Sequence, residues 1–382
     1  MKKVGIITFH GSHNHGSVLQ AYATQQTVKQ LGYDCEIINF RMESQKEYYS
    51  LYRFNYGRNM MAQDFLMLPL QGKRKSLANK FEDFINNKLS LSGKELHNRK
   101  ELETVSDKYD IYLTGSDQIW SNRIPELVKS KEDFTGVYFL DFVKTDKPRL
   151  SYASSVGEIT YNELINKKDL LAKFNAVSTR EQYGVDLLKK IITKDVALVL
   201  DPTFLLNKND WGKVMTQEQI IKDKYVFLYT LRGLKNGRKW GKAVTEFAKK
   251  HGLKFVCVAP FFPITASAAH NMVDAGPLDF LNLMKHAEVV FTDSFHGTAF
   301  SINLNKPFYT FVGKNTTDNR KLGVMRQFGL EGRALETLED IAKIEDYSLE
   351  YRNYSKKIDD VREQSRKWLK DALKSISNNM PN

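Results

Sequence analysis

The strongest constraint on this chain is an alternation of two periods. Short apolar runs rich in β-branched residues take turns with longer amphipathic runs of helical spacing along most of the sequence. That order favours helices crossing over between the strands of a largely parallel sheet, an α/β fold. Residues 4–9 read as a buried strand, 16–31 as a helix stopped at Gly32, and 35–40 as the next strand. Strands resume at 111–114, 150–153, 176–178 and 196–200. A second series runs through 225–231, 254–258, 288–292 and 307–311, with helical stretches between. The tail, 347–378, reads as one long amphipathic helix.

The 382 residues exceed the roughly 250–300 at which a single core stops growing, so two α/β halves are expected. The division falls near Asp201-Pro202-Thr203. Residues 1–200 then form one Rossmann-like domain and 201–346 a second, facing it across a cleft. The helix in 347–382 is expected to cross back onto the first. Residues 41–100 break the alternation and read as a helical insertion. The segment is basic, with 12 Lys and Arg against 6 Asp and Glu, and is interleaved with Tyr48, Tyr49, Tyr52, Phe54 and Tyr56.

Over the whole chain, 57 Lys and Arg against 45 Asp and Glu give a formal charge of +12, which favours anionic partners. No RNP, zinc-finger or zipper signature accompanies the basic segment, so nucleic acid is not an expected partner. Peripheral contact with an anionic membrane is the expectation instead. Cys35 and Cys257 sit in apolar stretches and read as small core residues. The N-terminal apolar run breaks too early for a signal h-region. The apolar stretch 255–269 is too short to span a bilayer and carries Pro260 and Pro263. The expected location is cytoplasmic, at most peripheral at the inner membrane face.

Ligands of open α/β sheets bind beyond the carboxyl ends of the strands, so the residues just past each strand are informative. The first strand leads into His10-Gly11-Ser12-His13-Asn14-His15-Gly16-Ser17. Later strands lead into Gly115-Ser116-Asp117, Ser154-Ser155-Val156-Gly157, Thr179-Arg180-Glu181, Arg232-Gly233 and Asp293-Ser294-Phe295-His296-Gly297. Helix capping accounts for Asp117, Ser294 and Thr203, but not for Arg180 or His296. A guanidinium fork suits a carboxylate or phosphate, and an imidazole serves as acid and base near neutral pH. Lys314 and Arg320 come after the strand beyond the His296 helix, where they would neutralise a phosphate.

Several chemistries are disfavoured. No two glycines stand two apart, so there is no G-x-G-x-x-G loop, and neither D-x-D nor G-x-S-x-G occurs. The run Gly11-x4-Gly16-Ser17 lacks the lysine of a phosphate-binding P-loop. His10, His13 and His15 have no local carboxylate partner, so no metal site is expected there. A loop capping a helix N-terminus and facing an anion is the preferred reading.

Six segments carry a resemblance: 14–23, 114–120, 151–157, 178–182, Asp201-Pro202-Thr203 and 292–299. Taken in this order, they make the sequence resemble the polysaccharide pyruvyl transferase family; 41–100 and the tail add nothing to the match. The resemblance implies a GT-B-like fold. It also implies transfer of the pyruvyl group of phosphoenolpyruvate onto two hydroxyls of a sugar in a surface polysaccharide or its precursor, forming a pyruvate ketal. Phosphoenolpyruvate is then a donor substrate, and no cofactor or metal is expected. His296 and Arg180 are the expected catalytic residues. His13, Asn14, His15, Gly16, Ser116, Asp117, Arg232, Ser294, Lys314 and Arg320 are the expected substrate-binding residues. Trp120 is expected in the core or stacked on a sugar. A metal-independent glycosyltransferase using a nucleotide sugar and a non-catalytic glycan- or nucleic-acid-binding module are the alternatives.

Overall fold

The computed structural model of the chain describes residues 1–128, 134–231, 234–260, 269–312 and 319–380. Two six-stranded sheets organise them. The first contains β1 (Lys3–Ile7), β2 (Asp34–Ile37), β3 (Ile111–Thr114), β4 (Arg149–Ser151), β5 (Ala176–Thr179) and β6 (Val196–Leu198), in the order β2-β1-β3-β4-β5-β6. The second contains β7 (Tyr225–Tyr229), β8 (Lys254–Val258), β9 (Ala269–Asn271), β10 (Val289–Thr292), β11 (Phe308–Phe311) and β12 (Ala334–Leu335), in the order β12-β11-β10-β7-β8-β9. Every pairing is parallel. The central strands β3, β7 and β10 are buried at each position, as a sheet covered on both faces requires. This is an α/β fold of GT-B-like design.

Each sheet reverses its strand order once, between β1 and β3 and between β10 and β7. Such reversals open a crevice beyond the strand ends. The polar segments after β1, β3, β7 and β10 therefore leave the sheets at their two crevices.

Helix α1 (His15–Gln30) joins the halves. Its N-cap, Asn14, accepts hydrogen bonds from the Gly16 and Ser17 amides. It is buried on most sides because both halves pack on it. His15 Nε2 reaches the Ala275 carbonyl at 2.8 Å, and Tyr22 meets Trp211. The insertion supplies α2 (Glu43–Tyr49), α3 (Arg58–Leu66) and α4 (Gln71–Lys88). Helix α4 buries Phe81, Phe84 and Ile85 in the shared core, and Lys80 pairs with Asp279 of the second half at 2.8 Å.

The C-terminal helix, Ser355–Asn378, touches both halves. Ser365 Oγ accepts from the Leu200 amide and Ser377 Oγ meets the Tyr33 hydroxyl. Arg362 donates to the Phe204 carbonyl and to Asn303 Oδ1. The helix begins later than the periodicity suggests. Arg333 engages the Tyr347 and Ser348 carbonyls and Asp346 takes the Ser348 amide, so these backbone groups are spent before a helix starts. Strands β9 and β12, of three and two residues, are too short to show a period in sequence. No helix among the described residues is long and apolar enough to cross a membrane.

Asn303 ties this junction: its Nδ2 donates to the Thr203 and Leu206 carbonyls at 2.7 and 2.8 Å while its Oδ1 receives Arg362. Asn303→Ala strands these buried partners and is expected to cost about 3 kcal/mol, read as a lowered denaturation midpoint.

Candidate functional site

The site is built around one carboxylate. Asp201 lies just past β6 and caps the 3-10 turn Pro202–Phe204. Its Oδ1 accepts from the Thr203 amide at 3.0 Å and hydroxyl at 2.8 Å. Its Oδ2 receives Arg180 Nη1 at 2.6 Å and Ser116 Oγ at 3.0 Å, and faces His296 Nε2 at 3.7 Å. Burial alone would raise the Asp201 pKa. The adjacent His296 and Arg180 outweigh it and hold the carboxyl well below its usual range.

Arg180 leaves the end of β5, and its guanidinium lies over the Phe295 ring, 4.3 Å from the centroid. Its side chain is only 1% exposed. Nη2 reaches Asp117 Oδ1 at 3.3 Å and Nε lies 3.8 Å from Glu181 Oε2. Against burial, these three carboxylates keep the guanidinium firmly protonated.

Asp117 is reached from β3 through a bend that needs glycine. Gly115 has φ +126, and a Cβ there would stand 1.9 Å from the Tyr152 carbonyl oxygen. Asp117 Oδ2 accepts a 2.6 Å bond from Ser17 Oγ at the start of α1. Although burial opposes ionisation, Arg180 and His296 lower its pKa.

His296 opens the helix Phe295–Asn303, capped by Ser294 Oγ, which accepts from the Gly297 amide. Its ring lies directly on Gly16 of α1, where a Cβ would approach Nδ1 to 2.0 Å. An imidazole of the second half and a guanidinium of the first thus share one carboxylate oxygen.

Arg180, Asp117 and His296 wall a cavity of about 450 Å³, with Asp201 behind them. Asn14, Ser17 and Ser294 also line it, as do Asp293, Arg320 and Lys321 on the second half. Glu126 closes one side. It is buried beside Tyr49, with its Oε1 3.3 Å from Ser12 Oγ. Burial pushes its pKa up to about 7, with the Asp117 charge adding to the rise.

Of the residues singled out in the sequence, His296, Arg180, Asn14, Asp117, Ser294 and Arg320 line this cavity. Ser116 lies beneath Arg180 and Gly16 beneath the imidazole. His13 and His15 do not line the cavity. His13 Nε2 pairs with Glu82 at 2.7 Å and its ring stacks on Phe81. His15 is fully buried among Phe81, Tyr229 and Phe280, and burial lowers its pKa to about 4. His13 ties the first half to the insertion, and His15 ties the two halves together. Trp120 is core, stacked on Phe139 with Nε1 on the Tyr138 carbonyl. Arg232 and Lys314 lie outside the described residues.

Sequence reasoning missed Asp201, Ser17, Glu126 and Lys321. Asp201 was legible only as part of the Asp201-Pro202-Thr203 motif at the division between the halves. Nothing local marks Glu126, whose setting comes from distant segments.

Gly16→Ala suits a helix but displaces the imidazole, so it should shift the His296 ring resonances in NMR while α1 stays folded. Glu126 keeps its proton in the folded state after the unfolded chain has lost it, between pH 4.5 and about 7. Its contribution to stability is therefore complete below pH 4.5 and fades as pH rises to 7, by about 3 kcal/mol. Glu126→Gln should flatten that stretch of the stability–pH curve.

Among solved structures the chain is similar to UDP-GlcNAc 2-epimerase from Neisseria meningitidis bound to UDP-GlcNAc. Identity is 14%, coverage is 98% of this chain and 100% of that one, and the TM-score is 0.53. It is also similar to UDP-N-acetylglucosamine 2-epimerase from Rickettsia bellii, at 10% identity, with 99% and 98% covered and a TM-score of 0.57. At such identities the likeness is one of fold. No curated protein matches the sequence. The sequence profile of polysaccharide pyruvyl transferases matches residues 14–315, more than half of the chain, and the chain belongs to that family.

Proposed function

We propose that this transferase moves the pyruvyl group of phosphoenolpyruvate onto two hydroxyls of a sugar in a surface polysaccharide or its precursor. The observation that carries this reading is the cavity wall in which His296 and Arg180 meet over Asp201 Oδ2. Phosphoenolpyruvate brings a phosphate and a carboxylate. Arg320 and Lys321 of the second half and the N-terminus of the His296 helix offer it positive charge.

In the proposed reaction, His296 gives a proton to the methylene carbon, leaving an oxocarbenium-like centre at the neighbouring carbon. A sugar hydroxyl adds there and its proton returns to the imidazole. The carbon–oxygen bond to phosphate then breaks, and a second hydroxyl closes the ketal as its proton leaves with the phosphate. The reaction draws on acid–base and electrostatic catalysis and calls on no cofactor. Asp201 Oδ2, 3.7 Å from Nε2, orients the imidazole in the cavity wall, as a carboxylate beside a histidine does. Arg180 spends its terminal nitrogens on Asp201 and Asp117, so it acts by placing both carboxylates and adding positive charge to the wall. The protonated Glu126 carboxyl, where its pKa of about 7 leaves it so, offers a hydrogen bond to a sugar hydroxyl.

The test is phosphate release from phosphoenolpyruvate with a panel of glycosides. The wild-type chain should release phosphate only with a suitable acceptor, and His296→Ala should slow it about 10²–10⁴-fold. Undiminished release by His296→Ala would overturn the assignment. So would thermal stabilisation by nucleotide sugars and none by phosphoenolpyruvate.

A further inference from the structure

We propose that the face formed by residues 52–68 docks on an anionic lipid surface. The observation is an inverted helix. Helix α3 turns its one carboxylate inward and its large apolar side chains outward. Asp64 is buried, whereas Phe65 is 74% exposed, Leu66 62% and Met61 42%. Phe54, 68% exposed, stacks on Tyr52 next to them in sequence. Surface helices normally show the opposite arrangement, and clustered exposed apolar side chains mark an interaction site.

The helix is pinned in this orientation. Arg53 donates to Asp64 through its amide at 2.8 Å, its Nε at 3.0 Å and its Nη2 at 2.6 Å, and Arg74 Nη2 adds a bond of 2.9 Å. Rolling the apolar face inward would break all of these. The same pairing brings Arg53 and Asp64 together, so Phe54 and Phe65, the next residues in the chain, leave from one place.

Charge selects the partner. Asp64 is the only acid between residues 48 and 81, and it is neutralised internally. Of the flanking acids, Glu47 is held by Asn55 and Glu82 by Arg41 and His13. Arg58, Lys73 and Lys75 are exposed. A second copy meeting this face symmetrically would set these cations against themselves, whereas anionic headgroups complement them. Aromatic and aliphatic side chains ringed by cations have the composition of an interfacial anchor. The preceding helix, α2, sends Tyr48 and Tyr49 into the cavity wall, so the insertion that docks also borders the site. Docking rests on this patch and does not depend on pyruvyl transfer.

The experiment is co-sedimentation of the full chain with phosphatidylcholine vesicles, with and without phosphatidylglycerol, at physiological salt. The wild-type chain should partition onto the anionic vesicles only. Phe65→Ser with Leu66→Ser should weaken partitioning at least about tenfold. Lys73→Glu with Lys75→Glu should weaken it about fivefold or more for each charge. These side chains are exposed, so melting temperatures should hold in both variants, separating lost docking from lost folding. Absence of wild-type binding to anionic vesicles, or equal binding by the variants, overturns the proposal. So does a wild-type dimer that ignores vesicles and that Phe65→Ser with Leu66→Ser turns into monomers.

Discussion

Asp201 Oδ2 is the atom on which this molecule converges. It receives Arg180 from the end of one sheet and Ser116 from the bend after a neighbouring strand, and it faces His296 from the other half. A buried carboxylate is costly unless it is paired and hydrogen-bonded. Here Arg180, Ser116 and Thr203 satisfy it with hydrogen bonds, and His296 of the other half faces it at 3.7 Å. The same carboxylate faces an imidazole of the second half, so its charge lies at the junction of the two sheets.

The junction is made by ordinary packing around this polar point. Helix α1 lies between the halves and presents a glycine where the imidazole must rest. His15, the residue before that glycine, does the opposite job: it is stripped of water, ringed by aromatic side chains and tied to a carbonyl of the second half. Two histidines meet one helix start, and their partners separate one tied into the junction from one that lines the cavity. The C-terminal helix closes the same junction from behind through Arg362 and Ser365.

The insertion obeys the same rule of buried charge with a different result. Asp64 is satisfied by Arg53 and Arg74, and the apolar face of its helix is left in solvent as a consequence. A helix with that sequence would ordinarily roll the other way. The ion pair, fixed by three segments of the insertion, prevents it.

The positions of ten strands, the two-sheet division and the family motifs were legible in the sequence, because strand periodicity and strand-end loops are local properties. Histidine roles were not. His13 and His15 share a loop with true cavity residues, and only the placement of Glu82 and Ala275, far away in the chain, sends their rings elsewhere. Asp201 read only as part of a motif; in the structure one oxygen caps the turn after it, and the second finds Arg180 and Ser116 only after folding. The amino-acid order by itself determined which segments become strands and helices and which residues leave the sheets at the crevices. The tertiary structure alone decided which ionisable groups share a low-dielectric pocket. Proton affinity and orientation depend on neighbours brought together from distant parts of the chain, as Ser116 and Asp201 are across 85 residues and Ser17 and Asp117 across 100.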